Sequence, residues 1–325
     1  MKTTKTATLT ESSEHILRAR QPLLICHSAP DGDAIGSTTG LARALRQSGR
    51  SPILACVDPV PTEYLFLAEV ESFLSVVDMP FDLVITLDCS DLSRAGRLTE
   101  TPGFDTVPLI NIDHHITNLH FGDINLVSVE AASTAEVVLA LLDAMHLPVD
   151  VGTANCLLTG ILTDTRGLRT SNVTIEVVES ALRLMKTGAS LTTIIQNTLE
   201  RRSTAALRLW GAALSRMKLD HGIIWATIPA QVRRAVHYSG NGDAGLASFL
   251  LSSDQANIAA VLVERDDQYV EVGFRAVPGH DVAAVALELG GGGHTLAAGC
   301  TVPGPLEDAE ARVINLLKSS LASHS

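Results

Sequence analysis

His27-Ser28-Ala29-Pro30-Asp31-Gly32-Asp33 places an imidazole and two carboxylates within seven residues. An apolar run at 23–26 precedes them and a helical pattern over 34–47 follows, so His27, Asp31 and Asp33 sit on a strand-to-helix turn, with Gly32 letting the backbone bend sharply. Asp88 closes a second apolar run at 82–87, and Asp113-His114-His115 follows a third at 108–112. Asp164 lies further on, in Leu162-Thr163-Asp164-Thr165. Three runs that each finish in carboxylate or imidazole predict a metal site beyond the carboxyl ends of parallel strands. Histidine and carboxylate without thiolate suit manganese, magnesium or iron better than a structural zinc. Asp88 is placed to bridge two cations, with His114 and Asp164 completing the second sphere; two ions about 3.5–4 Å apart activate a water and neutralise a phosphoryl group. Each residue alone has a plain structural role, Asp33 as a helix cap and Asp164 as a turn residue. Their order, at successive strand ends, favours chemistry.

The elements that position these groups follow from the hydrophobic pattern. Strands are expected at 22–26, 52–57, 82–88 and 108–112, and helices at 34–47, 133–146, 155–162 and 174–186. Such alternation predicts an α/β fold, a parallel sheet with helices on both faces. A boundary is expected near 187–203, giving a catalytic domain over 1–190, a linker helix over 191–203 and a smaller α/β domain over 204–325 facing the first across a cleft. In that second domain, 223–228 reads as a strand, and 257–264 with 268–275 as a hairpin around Arg265-Asp266-Asp267. A helix at 281–289 then runs into four glycines. The apolar stretch 137–142 suits either core or a dimer surface.

Net charge is −12 over 325 residues, which argues against broad electrostatic capture of long nucleic acid and for a small substrate held by cations. Cysteines at 26, 56, 89, 156 and 300 show neither disulfide nor zinc spacing and read as small core residues. No apolar stretch has membrane-spanning length and the first residues carry no leader pattern, so a cytoplasmic protein is expected. His15, His120, His146, His221, His237, His280 and His324 lack partners at ligand spacing, and Trp210, Trp225, Tyr238 and Tyr269 read as packing residues.

The order of motifs resembles the DHH phosphoesterase superfamily over nearly the whole chain. The first family motif, H-x-x-P-D-x-D-x-x-G-S, is matched by His27, Pro30, Asp31, Asp33, Gly36 and Ser37. Asp88, with Arg94 shortly after, matches the second; Asp113-His114-His115 is the family triplet; Asp164-Thr165-Arg166-Gly167-Leu168 stands for the fourth, with Leu168 where relatives often carry Phe. The resemblance implies that His27, Asp31 and Asp88 hold one Mn²⁺ and that Asp33, Asp88, His114 and Asp164 hold another, with Mg²⁺ or Co²⁺ as substitutes. It implies catalytic roles for His115, facing the scissile phosphate, and for Asp113, orienting an imidazole, alongside Asp88.

Gly290-Gly291-Gly292-Gly293-His294 is the second strong feature. Glycines let backbone N–H groups approach an anion, and a helix starting behind His294 would aim its N-terminus there. This stretch resembles the GGGH motif of the DHH-associated domain, which implies substrate binding by Gly292, Gly293 and His294, with Arg275 gripping a terminal phosphate. The function so implied is that of a nano-RNase: manganese-dependent cleavage of short oligonucleotides to mononucleotides, with removal of the 3′-phosphate from 3′-phosphoadenosine 5′-phosphate (pAp). The rivals are a cyclic-dinucleotide or linear dinucleotide (pApA) phosphodiesterase and a non-catalytic nucleotide-binding regulator. Substrates are therefore oligonucleotides or nucleotides, no membrane is involved, and a homodimer stays open.

Overall fold

The computed structural model describes residues 5–6, 8–238, 240, 242–265 and 268–322. The chain divides into two units, Met1–Arg201 and Arg202–Ser325.

In the first unit, β1 (Lys5–Thr6), β2 (Pro22–Cys26), β3 (Ile53–Ala55), β4 (Phe73–Leu74), β5 (Leu83–Leu87), β6 (Leu109–Asp113) and β7 (Ile124–Val127) form one sheet. All its pairings are parallel, in the order β1-β7-β6-β5-β2-β3-β4. After β4 the chain returns to the other side of β2, so the order reverses between β2 and β5, the kind of switch point where α/β sheets bind ligands.

The central strands are apolar on both sides because both sides are covered. Leu24, Ile85, Leu87, Ile110 and Ile112 join a core with α1 (Leu9–Arg18), α2 (Gly32–Gln47), α3 (Thr134–Ala144), α4 (Val151–Asp164) and α5 (Ile175–Thr187). Alternate residues Leu23, Ile25, Val84 and Leu109 pack on the other face against Ala95, Leu98 and Phe104, which come from short 3₁₀ segments at Leu92–Glu100 and Phe104–Thr106. The α-helices thus share one face, and 3₁₀ turns cover the other. Residues 137–142 are buried apart from Ala140, which makes them core rather than dimer surface.

The helix expected at 155–162 is longer on both sides. Asp150 caps α4 by accepting from the Thr153 N–H at 2.8 Å, and the helix runs on to Asp164, which therefore stands on its last turn. The segment expected to link the domains begins with α6 (Leu191–Ile195) and a π turn, Gln196–Glu200, and Ile194 is buried in the first unit's core.

The second unit contains α7 (Thr204–Leu214), β8 (Lys218–Asp220), β9 (Ile223–Ile228), α8 (Ala230–Ala235), α9 (Leu246–Leu250), β10 (Ile258–Glu264), β11 (Tyr269–Ala276), α10 (Val282–Glu288), β12 (Gly292–His294), β13 (Ala297–Pro303) and α11 (Leu306–Ala322). Its strands are ordered β12-β13-β11-β10-β9-β8, with β9 and β10 parallel and the other pairs antiparallel. Phe274, Val272 and Ile258 face α10 and α11, while Ala259, Val261 and Val263 face α7 and α9. The β10–β11 hairpin falls where the sequence places it; Asp266 and Asp267, like His324, lie outside the described residues.

One expectation fails here. No helix begins behind His294: the chain turns and returns as β13. The small residues of 297–303 alternate between faces, with Ala298, Cys300 and Val302 buried, which is a strand period with β11 as partner.

Candidate active site

Register brings the site together. Cys26 pairs with Leu87, and Leu87 with Ile112, so His27, Asp88 and Asp113 emerge at the same level of three adjacent strands. Asp88 has φ +60°, a left-handed conformation uncommon outside glycine and tolerated by Asp, which turns the chain sharply as it leaves β5.

Asp31 is the N-cap of α2: its Oδ1 accepts from the N–H groups of Asp33 and Ala34 at 3.1 Å. Asp33 does not cap its own helix. It is buried, and its two oxygens accept from the Thr134 and Ala135 N–H groups at 2.6 and 2.9 Å, at the positive end of α3. Gly32 has an ordinary helical role rather than a bend; a Cβ there would lie 2.4 Å from the Thr163 hydroxyl oxygen, and at Gly36 a Cβ would lie 2.4 Å from the Cys156 carbonyl. Bare backbone lets α2 press against α4, which brings Asp164 beside Asp33.

Two groups of donors result, joined by Asp88. His27 Nε2 lies 3.8 Å from Asp31 Oδ1 and 3.5 Å from Asp88 Oδ2. His114 Nε2 lies 3.7 Å from Asp88 Oδ1, 3.9 Å from Asp33 Oδ2 and 3.5 Å from Asp164 Oδ2. The clusters His27–Asp31–Asp88 and Asp33–His114–Asp164 each offer three ligand atoms within 4.8 Å of one another. These gaps are too wide for good hydrogen bonds. They suit donors gathered around shared cations. His114 Nδ1 approaches the Ala131 carbonyl at 3.3 Å, while its buried Nε2 finds no hydrogen-bond partner among the described residues and aims at three carboxylates. An imidazole lone pair left in that position fits a metal ligand. His27 Nδ1 is 2.8 Å from the Ser28 carbonyl and 3.0 Å from Arg94 Nη2; the tautomer that donates to Ser28 turns the Nε2 lone pair to Asp31 and Asp88.

The electrostatics report missing positive charge. Burial and the neighbouring Asp88 and Asp164 push Asp33 well above the carboxylate range. Burial, opposed by His114 and reinforced by Asp88 and Asp31, raises Asp164 to about 6. Burial disfavours charged His27, yet Asp31 and Asp88 outweigh it and lift its pKa to about 10. A cluster that recruits protons to this degree is suited to divalent cations.

Asp113 stands apart from the bridging role. Its Oδ1 accepts from His115 Nδ1 at 2.7 Å, fixing the ring so that Nε2 is left for other work. Burial would raise Asp113, but His115 and Asn118 hold it below its usual value, and Asp113 in turn raises His115. Asn118 donates to Asp113 Oδ2 at 2.5 Å and to Asn111 Oδ1 at 2.8 Å, and Asn111 donates to Thr86 and the Cys89 carbonyl. Thr134 Oγ1 donates to Asp88 Oδ1 at 2.9 Å. Sequence reasoning missed these supports. Asn111 alone carried a signal, as an amide inside the apolar run Leu109-Ile110-Asn111-Ile112.

In the second unit the register aligns Arg275 with Ala297 and Ala297 with His294, so the guanidinium and imidazole stand in one row across three strands. The next row on that face is Gly273, Gly299 and Gly292, a floor of bare backbone. Gly273 and Arg275 line a cavity of about 180 Å³ with Asp243 and Glu271. Gly293 has φ +141°, and a Cβ there would lie 2.5 Å from Ala298 Cα, so glycine is required by the hairpin itself.

Comparison with known proteins agrees with both halves. The DHH family N-terminal domain matches residues 22–161 and the DHHA1 domain matches 236–323. The chain is 33% identical to the bifunctional oligoribonuclease and PAP phosphatase NrnA of Thermus thermophilus, over 91% of its own length and 88% of that protein. It is 25% identical to the cyclic-di-AMP phosphodiesterase PdeA of Listeria monocytogenes, over 86% of its length but 44% of the relative. In fold it is similar to an exopolyphosphatase-related protein from Bacteroides fragilis, with a TM-score of 0.88 at 24% identity, covering 96% of this chain and 95% of that one. With His27, Asp31, Asp33, Asp88, the Asp113-His114-His115 triplet and Asp164 gathered at one end of its parallel sheet, the chain belongs to the DHH family, as a metal-dependent phosphoesterase with a DHHA1 domain.

Proposed function

We propose that this chain hydrolyses short oligonucleotides to mononucleotides and removes the 3′-phosphate of pAp, using two manganese ions. The observation that carries the reading is Asp88, whose two oxygens point to two separate imidazole–carboxylate groups. His27, Asp31 and Asp88 would hold one ion; Asp33, Asp88, His114 and Asp164 would hold the other. Donors of this type favour Mn²⁺, with Mg²⁺ or Co²⁺ able to substitute. Bound there, the ions supply charge neutralisation at the phosphoryl group and lower the pKa of water.

The chain's own residues do the rest. His115, held by Asp113 and raised in pKa by it, keeps a proton for the leaving oxygen. Arg275 and His294 bind a terminal phosphate over the glycine row, with Gly292 and Gly293 giving close backbone approach. The NrnA name of the Thermus thermophilus relative supports the substrate class. No described helix is long and apolar enough to cross a membrane, and the five cysteines are free and buried, which fits action in the cytoplasm.

The relative named PdeA supports a second reading, cleavage of a cyclic dinucleotide. A non-catalytic regulator has less support, because every ligand position is filled. The decisive measurement compares kcat/KM with Mn²⁺ for labelled RNAs of two to five residues, pAp, pApA, cyclic di-AMP and pyrophosphate. The proposal expects short RNA and pAp to lead; cyclic di-AMP ahead by tenfold, or no turnover at all, would overturn it.

A further inference from the structure

Helix α9 turns Leu246, Ala247 and Leu250 into the core of the second unit and leaves Phe249 49% exposed. The Phe249 ring leans on Trp210 of α7, with centroids 5.1 Å apart and planes 33° from parallel. The Arg202 guanidinium lies over the same indole, 5.9 Å from its centroid. Trp210 is tethered in turn, its Nε1–H donating to the Asp243 carbonyl at 3.3 Å. Cation, indole and phenyl therefore gather at one place, and the phenyl is left half open. Leu207, a turn before Trp210, is 54% exposed and widens the apolar surface.

The position of this stack says what it is for. Ala247 and Ser248, the residues just before Phe249, line the cavity that holds Arg275. Asp243 joins the two features: its carbonyl holds Trp210, and its side chain lines the cavity while accepting from the Gly245 and Ala247 N–H groups at 2.9 and 2.6 Å. Charge points the same way. Residues 201–238, which supply Trp210, carry seven arginines and lysines against one carboxylate, in a chain whose net charge is −12. Area excludes a large partner, since one phenyl and one leucine offer far less than the ~800 Å² that each protein buries in a standard interface. A single flat ring with an attached phosphate matches the site.

We propose that Phe249, backed by Trp210 and Arg202, is a stacking platform for the nucleobase attached to the phosphate held at Arg275. This deepens the function proposed above and rests on it, taking Arg275 as a phosphate ligand and nucleotides as substrates. Every base has a π-face, so such a platform tolerates any sequence while disfavouring phosphate compounds that carry no base, pyrophosphate among them.

Calorimetry on the full Mn²⁺-loaded chain, titrated with AMP and with ribose 5-phosphate, tests this, because the second ligand keeps the phosphate and sugar and lacks the base. AMP should bind about 10- to 100-fold more tightly. Phe249→Ala should weaken AMP about tenfold or more and leave ribose 5-phosphate within twofold, so that the preference collapses, and Phe249→Tyr should restore it. The circular-dichroism melt of Phe249→Ala should be unchanged, since the side chain is half exposed. Arg275→Ala should weaken both ligands alike. Equal affinity of the wild-type chain for the two ligands would overturn the platform, as would a Phe249→Ala chain that still prefers AMP. Affinities indifferent to Arg275→Ala would overturn the pairing of platform and phosphate seat. The wider reading fails differently: a chain that prefers AMP through Phe249 yet turns over neither short RNA nor pAp would sink the proposed activity and leave the stack standing.

Discussion

The two units hold their polar groups by opposite means. In the first, Asp33, Asp88 and Asp113 are buried, and each accepts hydrogen bonds from groups that are themselves fixed: the N-terminus of α3, Thr134, Asn118. In the second, His294 is exposed on an edge strand and the row beside it has no side chains at all. The first arrangement concentrates charge where water cannot relieve it, which is costly until a cation arrives. The second costs little and places little, which suits the substrate-binding role proposed for it.

Substitutions on either side test that contrast. The largest effect is expected from Asp88→Asn, which keeps the shape and the left-handed backbone but removes the charge shared by both donor groups. Activity with Mn²⁺ should fall at least 10⁴-fold, and one or both equivalents of tightly bound metal should be lost by elemental analysis. Near-native turnover would end the bridging role.

Arg275→Ala should act on binding alone. Losing a charge-assisted phosphate contact should raise KM for di- and trinucleotides about 10- to 100-fold with kcat changed by less than threefold. An equal loss in kcat would mean that the guanidinium reaches the reacting phosphate, and the division of labour between the units would blur.

The smallest effect is a pH dependence confined to the first unit. Asp164 has its pKa raised to about 6, so the metal-free protein takes up a proton there as pH falls through 6. A raised carboxyl contributes stability at low pH that is lost as pH climbs from the unfolded value near 4 toward 6, while the cation needs the carboxylate. Manganese affinity, followed by calorimetry, should weaken as pH falls, with Asp164 adding up to tenfold per pH unit below 6 to the dependence set by the protons that Asp33 and His27 must release. Asp164→Asn should make the slope below pH 6 shallower by that share, whereas Arg275→Ala should leave it intact.

Much of this was legible in the sequence, for physical reasons. Runs such as Leu23-Leu24-Ile25-Cys26 are apolar at every position only when a strand is covered on both faces, and a carboxylate or imidazole just beyond such a run has few places to go but the sheet's rim. The donors were therefore readable, as was the α/β alternation. The glycine stretch misleads because small residues favour no period strongly: the segment behind His294 suits a helix start, and its role as a strand is set by β11, whose paired residues lie 22 to 34 positions away. Asn118, in a loop, and Thr134, at the start of α3, were invisible for a related reason, since such an amide or hydroxyl has meaning only once the buried carboxylate it serves is known.

That His27, Asp88 and Asp113 leave three neighbouring strands in step has a consequence for how this chain tolerates insertions and deletions. Adding one residue inside β2, β5 or β6 would carry its donor about 3.3 Å along the strand and swing it to the opposite side of the sheet. Beyond the turn and helix that carry Asp31 and Asp33, the long connections between those strands are free of this penalty. Length variation that preserves activity should therefore concentrate in the loops, and the three strands should behave as a fixed ruler against which the catalytic groups are measured.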